Sequence, residues 1–163
     1  MLYKKGDPND IENYRPISLL PSLYNLFSTI LTKKISYTLE IKQPVEQARF
    51  RRGFSSIDHI HTLELLVEKY QDRKRPLYLA YIDYRKAFHS VSHRFIWETL
   101  TTQNVEIEYI RVIKSIYKKS KSRVKLKTAG SWFPVKRGVR QGDPLSPILF
   151  IATLESIISM LIT

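Results

Sequence analysis

Residues 138–150, GVRQGDPLSPILF, set two glycines around Arg140 and Gln141, then run through Asp143-Pro144 into Ser146-Pro147 and an apolar stretch. Glycine lets a backbone approach a ligand closely, and the amide of Gln141 can hydrogen-bond a template or an incoming nucleotide. Taken alone, the segment reads as a polar turn before a helix, with proline suited to the first helical turn. About fifty-five residues upstream lies 79–91, LAYIDYRKAFHSV. The β-branched and aromatic bias of LYLAYID predicts a largely buried strand that ends on Asp83, followed by a turn and helix-like sequence. A carboxylate at the rim of a sheet is placed to hold a hard divalent cation such as magnesium, which takes carboxylate and phosphate oxygens. The plainer reading of Asp83 is a strand-end aspartate capping the next turn.

Outward from these two segments the chain alternates helical patterns with short breaks. After Pro21 and the candidate cap Ser22, apolar residues Leu23, Leu26, Phe27, Ile30, Leu31, Ile35 and Leu39 recur at helical spacing. Residues 43–56, QPVEQARFRRGFSS, are basic and broken by Pro44 and Gly53, which predicts a loop with at most one short strand. Ser55 and Asp58 have capping-box spacing before a second helix lined by Ile57, Ile60, Leu63, Leu66, Val67 and Tyr70, and Pro76 ends that region. Helices are expected at 92–103, capped by Ser92, and at 106–119. SRVKLKT and SWFPVKR flank Ala129-Gly130 as a β-hairpin, and a last helix starts near Ser146-Pro147. The order predicts a helix-rich α+β fold with a small antiparallel sheet.

Composition bounds the function. The chain has 163 residues, 43% of them hydrophobic and 26% charged, enough for one domain with a core. The absence of cysteine removes disulfides, Cys-based zinc sites and thiol nucleophiles. A formal net charge of +12 points to polyanionic partners, although a generically basic soluble protein has the same composition. The N-terminus lacks a signal-peptide core, and PILFIATLESIISMLIT is shorter than the ~20 residues of a membrane span and contains Glu155, so a buried helix is expected there. His59 and His61 fall on different faces of one helix. His89 and His93 lack a third ligand nearby in sequence, so surface histidines are expected rather than zinc ligands.

LAYIDYRKAFHSV and GVRQGDPLSPILF, in this order and at this spacing, resemble motifs A and B of the reverse-transcriptase domain of LINE-type non-LTR retrotransposons. ENYRPISLLPSLYNLFSTIL is similar to that family's opening motif and EQARFRRGFSSIDHI to its fingers motif, so the resemblance covers essentially the whole chain. It implies a right-hand polymerase fold, with fingers over about 1–75 and the first part of the palm over 76–163. It implies RNA-directed DNA polymerase activity with magnesium, or manganese, as cofactor, on an RNA template, a DNA primer and deoxynucleoside triphosphates. It implies no membrane partner and a nuclear or cytoplasmic compartment rather than secretion, which the sequence itself leaves unknown, and it leaves the oligomeric state open. Asp83 would ligate the catalytic metal with the backbone carbonyl of Tyr84. Phe88 would be the steric gate that rejects a 2′-hydroxyl, or an ordinary core aromatic. Arg51 would face the triphosphate, or belong to a solvated basic loop. Gln141 and Gly142 would line the nucleotide site, and Gly138 and Arg140 would shape the template side.

The pattern departs from the family at three positions. His89 stands where an acid is expected after the gate. Arg49 replaces a glycine, which would strain the backbone if that glycine served a positive φ, and Phe54 replaces an arginine. The aromatic-Ala-Asp-Asp motif C, which carries the remaining carboxylates, does not occur before Thr163, and no thumb follows. Two-metal chemistry needs several acids, so the resemblance leads to the expectation of an incomplete fold and a truncated, inactive copy. The alternative is a noncatalytic basic RNA- or DNA-binding remnant.

Overall fold

The computed structural model describes residues 2–51, 53–125 and 128–162, the side chain of Ile162 left aside. Arg52 in the predicted loop, Leu126 and Lys127 in the predicted hairpin, and Thr163 lie outside the described residues. The chain divides into two compact units, one of Met1–Lys42 with Lys86–Thr163 and one of Gln43–Arg85.

The larger unit is built on helices α1 (Ser22–Glu40), α4 (His93–Thr102), α5 (Ile107–Lys118) and α6 (Ser146–Ile162), with the single turn α3 (Ala87–Ser90) before α4. Helix α4 packs on α5 and α6, and α1 packs on α6. Helix α5 buries Ile110, Ile113 and Tyr117, the i, i+3, i+7 stripe of an amphipathic helix. These close on Ile96 and Leu100 of α4, Leu31, Ile35 and Leu39 of α1, and Leu149 and Ala152 of α6. Burying each such leucine or isoleucine contributes about 1.5–3 kcal/mol. Gln103 ties the end of α4 to α6 by donating to the Ala152 carbonyl at 3.0 Å.

The end of α4 shows how sequence stops a helix. Asn104 takes φ +62°, a left-handed conformation that asparagine tolerates well. Its N–H donates to the Thr101 carbonyl at 3.1 Å, and the Val105 N–H donates to Leu100 at 3.0 Å. This is a Schellman closure, sealed by burial of both Leu100 and Val105.

Two short antiparallel pairs complete this unit. Strand β1 (Leu2–Tyr3) pairs with β2 (Tyr14–Arg15), and β3 (Lys121–Ser122) with β4 (Phe133–Pro134), Lys121 opposite Pro134 and Ser122 opposite Phe133. The hairpin is present, but Ala129 bridges Lys125, so Ala129-Gly130 lies in the second arm rather than at the turn.

The smaller unit carries helix α2 (Ser56–Asp72), capped by the Ser55 hydroxyl, which accepts from the Ile57 N–H at 3.1 Å. It ends in another Schellman closure, with Lys74 at φ +49° and the Arg75 N–H donating to Tyr70 at 3.0 Å, one residue before Pro76.

Three expectations need correction. The strand predicted at 77–83 is not formed: among the described residues the segment has no regular secondary structure and no strand partner, with Tyr78 88% and Ile82 80% exposed. β-Propensity is a preference for a packed, paired surface, and among the described residues no strand supplies one here. The apolar stripe of α1 is buried only along Leu31, Ile35 and Leu39, while Leu23, Leu26, Phe27 and Ile30 are exposed, and no residue of α2 is buried. Ser22 is the first helical residue of α1, preceded by Pro21, so it does not act as the cap.

Candidate nucleotide-binding site

The segment between β4 and α6 crosses the larger unit and is fixed at three points. At the first, the Gly138 N–H donates to the Val91 carbonyl at 2.8 Å, and the Val139 N–H donates to Phe88 at 2.7 Å. The end of motif A and the start of motif B are therefore joined backbone to backbone. His93 completes this point. Its Nε2 lies 2.9 Å from the Gly138 carbonyl, which can only accept, so Nε2 carries the proton. Its ring stacks edge-on to Tyr117 with centroids 4.9 Å apart. The expected surface histidine is thus a half-buried link between α4 and motif B.

At the second point, the Ser18 N–H donates to the Gln141 carbonyl at 2.8 Å. Gly142 has φ +108°, and a Cβ there would lie 3.0 Å from the Ser18 carbonyl oxygen. The opening motif thereby holds the Gln141-Gly142 backbone, and the half-buried Gln141 keeps its amide side chain as a potential donor and acceptor.

The third point is Asp143, whose side chain is fully buried. Its carboxylate accepts from the hydroxyls of Ser28 and of Tyr24 (2.6 Å), and from the Leu145 N–H at 3.0 Å, just ahead of α6. A carboxylate before a helix N-terminus also suits the helix dipole. Arg140 approaches Asp143 at 3.6 Å and donates to the Tyr24 hydroxyl at 2.7 Å and the Ser120 hydroxyl at 2.8 Å. Its guanidinium lies 5.2 Å from the Tyr24 ring centre and 5.5 Å from that of Tyr117. Burial and then the bond to Asp143 push the Tyr24 phenol well above its ordinary range, and burial pushes Tyr117 up to about 12. Both rings therefore stay neutral at working pH. Sequence reading missed Asp143, Tyr24, Ser28 and Ser120. The one available signal was Asp143 just before a helix start.

Of the residues expected at the site, the larger unit brings together Phe88, Gly138, Arg140, Gln141 and Gly142. The Phe88 ring is half-buried and stacks on Phe150 of α6 at 4.8 Å, and its carbonyl serves Val139. Arg140 is built into the Asp143 network and is 15% exposed.

In the smaller unit, Arg51 donates to the carbonyls of Pro44 (2.5 Å) and Gln47 (3.1 Å) and sits 3.9 Å over the Phe54 ring. Both bonds come from Nη1, so one arm of its fork is held by its own loop. The positive φ near Arg49 falls on Phe50, at +60°, rather than on Arg49. Asp83 and Tyr84 are exposed. Among the described residues no three His, Cys, Asp or Glu side chains converge on a metal position. The residues present therefore do not by themselves make up a two-metal site.

His89, in the place of the family's acid, is exposed on one side, and partial desolvation and then Lys86 and Lys4 hold it below the ordinary imidazole range. The unfolded chain binds that proton more readily, so the contribution of His89 to stability is full above the unfolded value of 6.5 and declines as pH falls below it. Melting temperature should accordingly fall more on acidification from pH 7.5 to pH 5 in the wild type than in His89→Gln. Parallel curves would show that His89 has no such role.

The larger unit is thus a helical frame that fixes a glycine-bracketed loop at three points, and comparison with known proteins fixes the family. The model for the reverse transcriptase (RNA-dependent DNA polymerase) family matches residues 3–163, and the chain belongs to that family. Its relatives are of the non-LTR retrotransposon type. The Retrovirus-related Pol polyprotein from type-1 retrotransposable element R2 of Nasonia vitripennis is 32% identical over 99% of this chain and 16% of its own length. The 149 kDa protein of transposon TX1 from Xenopus laevis is 30% identical over 99% of this chain and 12% of its own. The probable RNA-directed DNA polymerase from transposon BS of Drosophila melanogaster is 30% identical over 92% and 17%. The chain thus spans less than a fifth of the length of these three relatives. Among the described residues no helix is long and apolar enough to cross a membrane.

Proposed function

We propose that this chain forms the nucleotide-positioning part of an RNA-directed DNA polymerase, which extends a DNA primer on an RNA template with deoxynucleoside triphosphates. The observation that carries this reading is the triple fixation of motif B, in which Gly138 is bonded to the end of motif A, Gln141 to the opening motif and Asp143 to α1. A loop held this way presents Gln141 and Gly142 with little freedom, and positioning is a large part of phosphoryl-transfer catalysis. Gly138 and Arg140 shape the loop on the template side by holding it rather than by touching the template. Phe88 acts as the sugar gate from its seat on Phe150, and Arg51 reaches a triphosphate only by leaving its carbonyl partners. The fingers correspond to about residues 1–75 and the palm begins at 76.

Asp83 supplies one carboxylate, with the Tyr84 carbonyl beside it, to a magnesium or manganese site that needs further acids. A metal bound there would stabilise charge on the attacking and leaving oxygens. The test is primer extension on an RNA template with magnesium. In the polymerase carrying these residues, Asp83→Asn should lower synthesis by about 10²–10³-fold or more, while the 163-residue chain alone should give background synthesis. Equal product from wild type and Asp83→Asn would overturn the role of Asp83. Robust Asp83-dependent synthesis by the chain alone would overturn the need for further acids.

A further inference from the structure

The positive charge of this chain is concentrated in one stretch. From Tyr109 to Gly142 the sequence has eleven Lys or Arg residues and no Asp or Glu, so this stretch holds nearly all of the net charge of +12. The fold turns most of these cations outward. Helix α5 buries Ile110, Ile113 and Tyr117, and Arg111, Lys114 and Lys118 are exposed at i, i+3 and i+7, one continuous stripe. Among the described residues none of the three has an ion pair. Like charges at this spacing oppose helix formation, so the stripe works against the helix that carries it, which makes sense where an anion neutralises it.

The basic face continues into the hairpin and there acquires aromatic rings. Lys121 and Arg123 follow at alternate positions, and the Arg123 guanidinium sits 4.7 Å from the ring centre of Trp132. Trp132 is 61% exposed and Phe133 is exposed beside it. Lys119 and Lys121 also stand in the wall of an open cleft of about 470 Å³ that Leu20, Tyr24 and Arg140 help to line. Cations interleaved with exposed aromatics match a single strand, whose phosphates meet the cations while its unpaired bases stack on the rings. A duplex would offer the phosphates but keep its bases stacked, and an anionic membrane would offer no base to Trp132.

We propose that the exposed face of α5 and the hairpin after it form a docking track for a single-stranded polynucleotide, made of residues other than those assigned above to the reaction. The track goes beyond the polymerase reading and does not depend on it. Binding by Asp83→Asn should equal that of the wild type, so loss of synthesis and loss of binding are read separately.

The test is fluorescence anisotropy of a labelled single-stranded RNA without self-complementarity, titrated with the full 163-residue chain over a range of KCl. Arg111→Gln/Lys114→Gln/Lys118→Gln should weaken binding at least about tenfold at moderate salt, and should flatten the log–log salt dependence by about 2, at ~0.7 per phosphate contact. Trp132→Ala should weaken single-stranded binding about tenfold and leave duplex binding unchanged. Lys33→Gln/Lys34→Gln, on the exposed surface of α1, should bind as the wild type does. Thermal melts of each variant establish that it is folded. The proposal is overturned if the α5 triple variant binds as the wild type, if the α1 variant weakens binding equally, or if duplex or phosphatidylserine vesicles bind more tightly than the single strand.

Discussion

Replacing Asp143 with alanine is expected to destabilise the larger unit by about 3–5 kcal/mol, the range for breaking a buried charge pair by removing one partner. The loss has identifiable parts. Ser28 would keep a buried hydroxyl donor with nothing to accept from it, costing about 1–3 kcal/mol if unrelieved, and the half-buried Tyr24 hydroxyl would lose its acceptor as well. Arg140 would lose its counter-charge at 3.6 Å while its side chain stays 15% exposed, and the Leu145 N–H ahead of α6 would lose its acceptor. Asp143→Asn keeps the shape and one acceptor oxygen, so it should fall between wild type and alanine. Urea unfolding measures this as a lower midpoint at unchanged slope. The exposed Arg94–Glu98 pair, at a shorter 2.7 Å, is the contrast: Glu98→Ala should leave the urea midpoint nearly unchanged, because water screens that pair. If Asp143→Ala cost no more than Glu98→Ala, the network would not be what anchors motif B to α1.

The contrast between these two carboxylates also marks what the sequence makes legible. Arg94 and Glu98 are four residues apart on a helix, and their pairing follows from helical geometry. Asp143 and Tyr24 are 119 residues apart, and no local pattern connects them, so GDPLSP reads as a polar turn until the fold closes. Helices α4, α5 and α6 were readable from their ranges and start signals, and the face that α5 buries, Ile110, Ile113 and Tyr117, has the spacing of an amphipathic helix. The same logic over-reached where burial needs a partner the pattern does not name. Leu23 and Phe27 share the period of α1 yet remain exposed, and LYLAYID has strand composition but pairs with no strand among the described residues. His93 was misjudged for a related reason, since its partner is a carbonyl 45 residues away. Gly138, Gln141 and Gly142 were marked by residue type and by the resemblance to motif B. What those residues hold, the backbone of Phe88 and of Ser18, came only from the three-dimensional arrangement.

Gly138→Ala is the sharper test of that arrangement, with an expected loss of about 2–5 kcal/mol. Two independent costs apply. The backbone sits at φ +80°, and a left-handed conformation with a Cβ costs roughly 1–2 kcal/mol. The new methyl would also lie 2.7 Å from both the His89 Cα and the Phe88 carbonyl oxygen, backbone atoms that cannot rotate away, and overpacking of this kind costs about 1–3 kcal/mol. Gly142→Ala separates the two costs. It has a similar positive φ, +108°, but its nearest contact is 3.0 Å from the Ser18 oxygen, so it should carry the backbone cost with a smaller steric one. Hydrogen exchange locates the damage: the Val139 N–H, bonded to Phe88 at 2.7 Å, should lose protection in Gly138→Ala and keep it in Gly142→Ala. Equal losses from the two variants, with Val139 protected in both, would mean that φ strain alone sets the cost. The close contact between motifs A and B would then not be what fixes the loop.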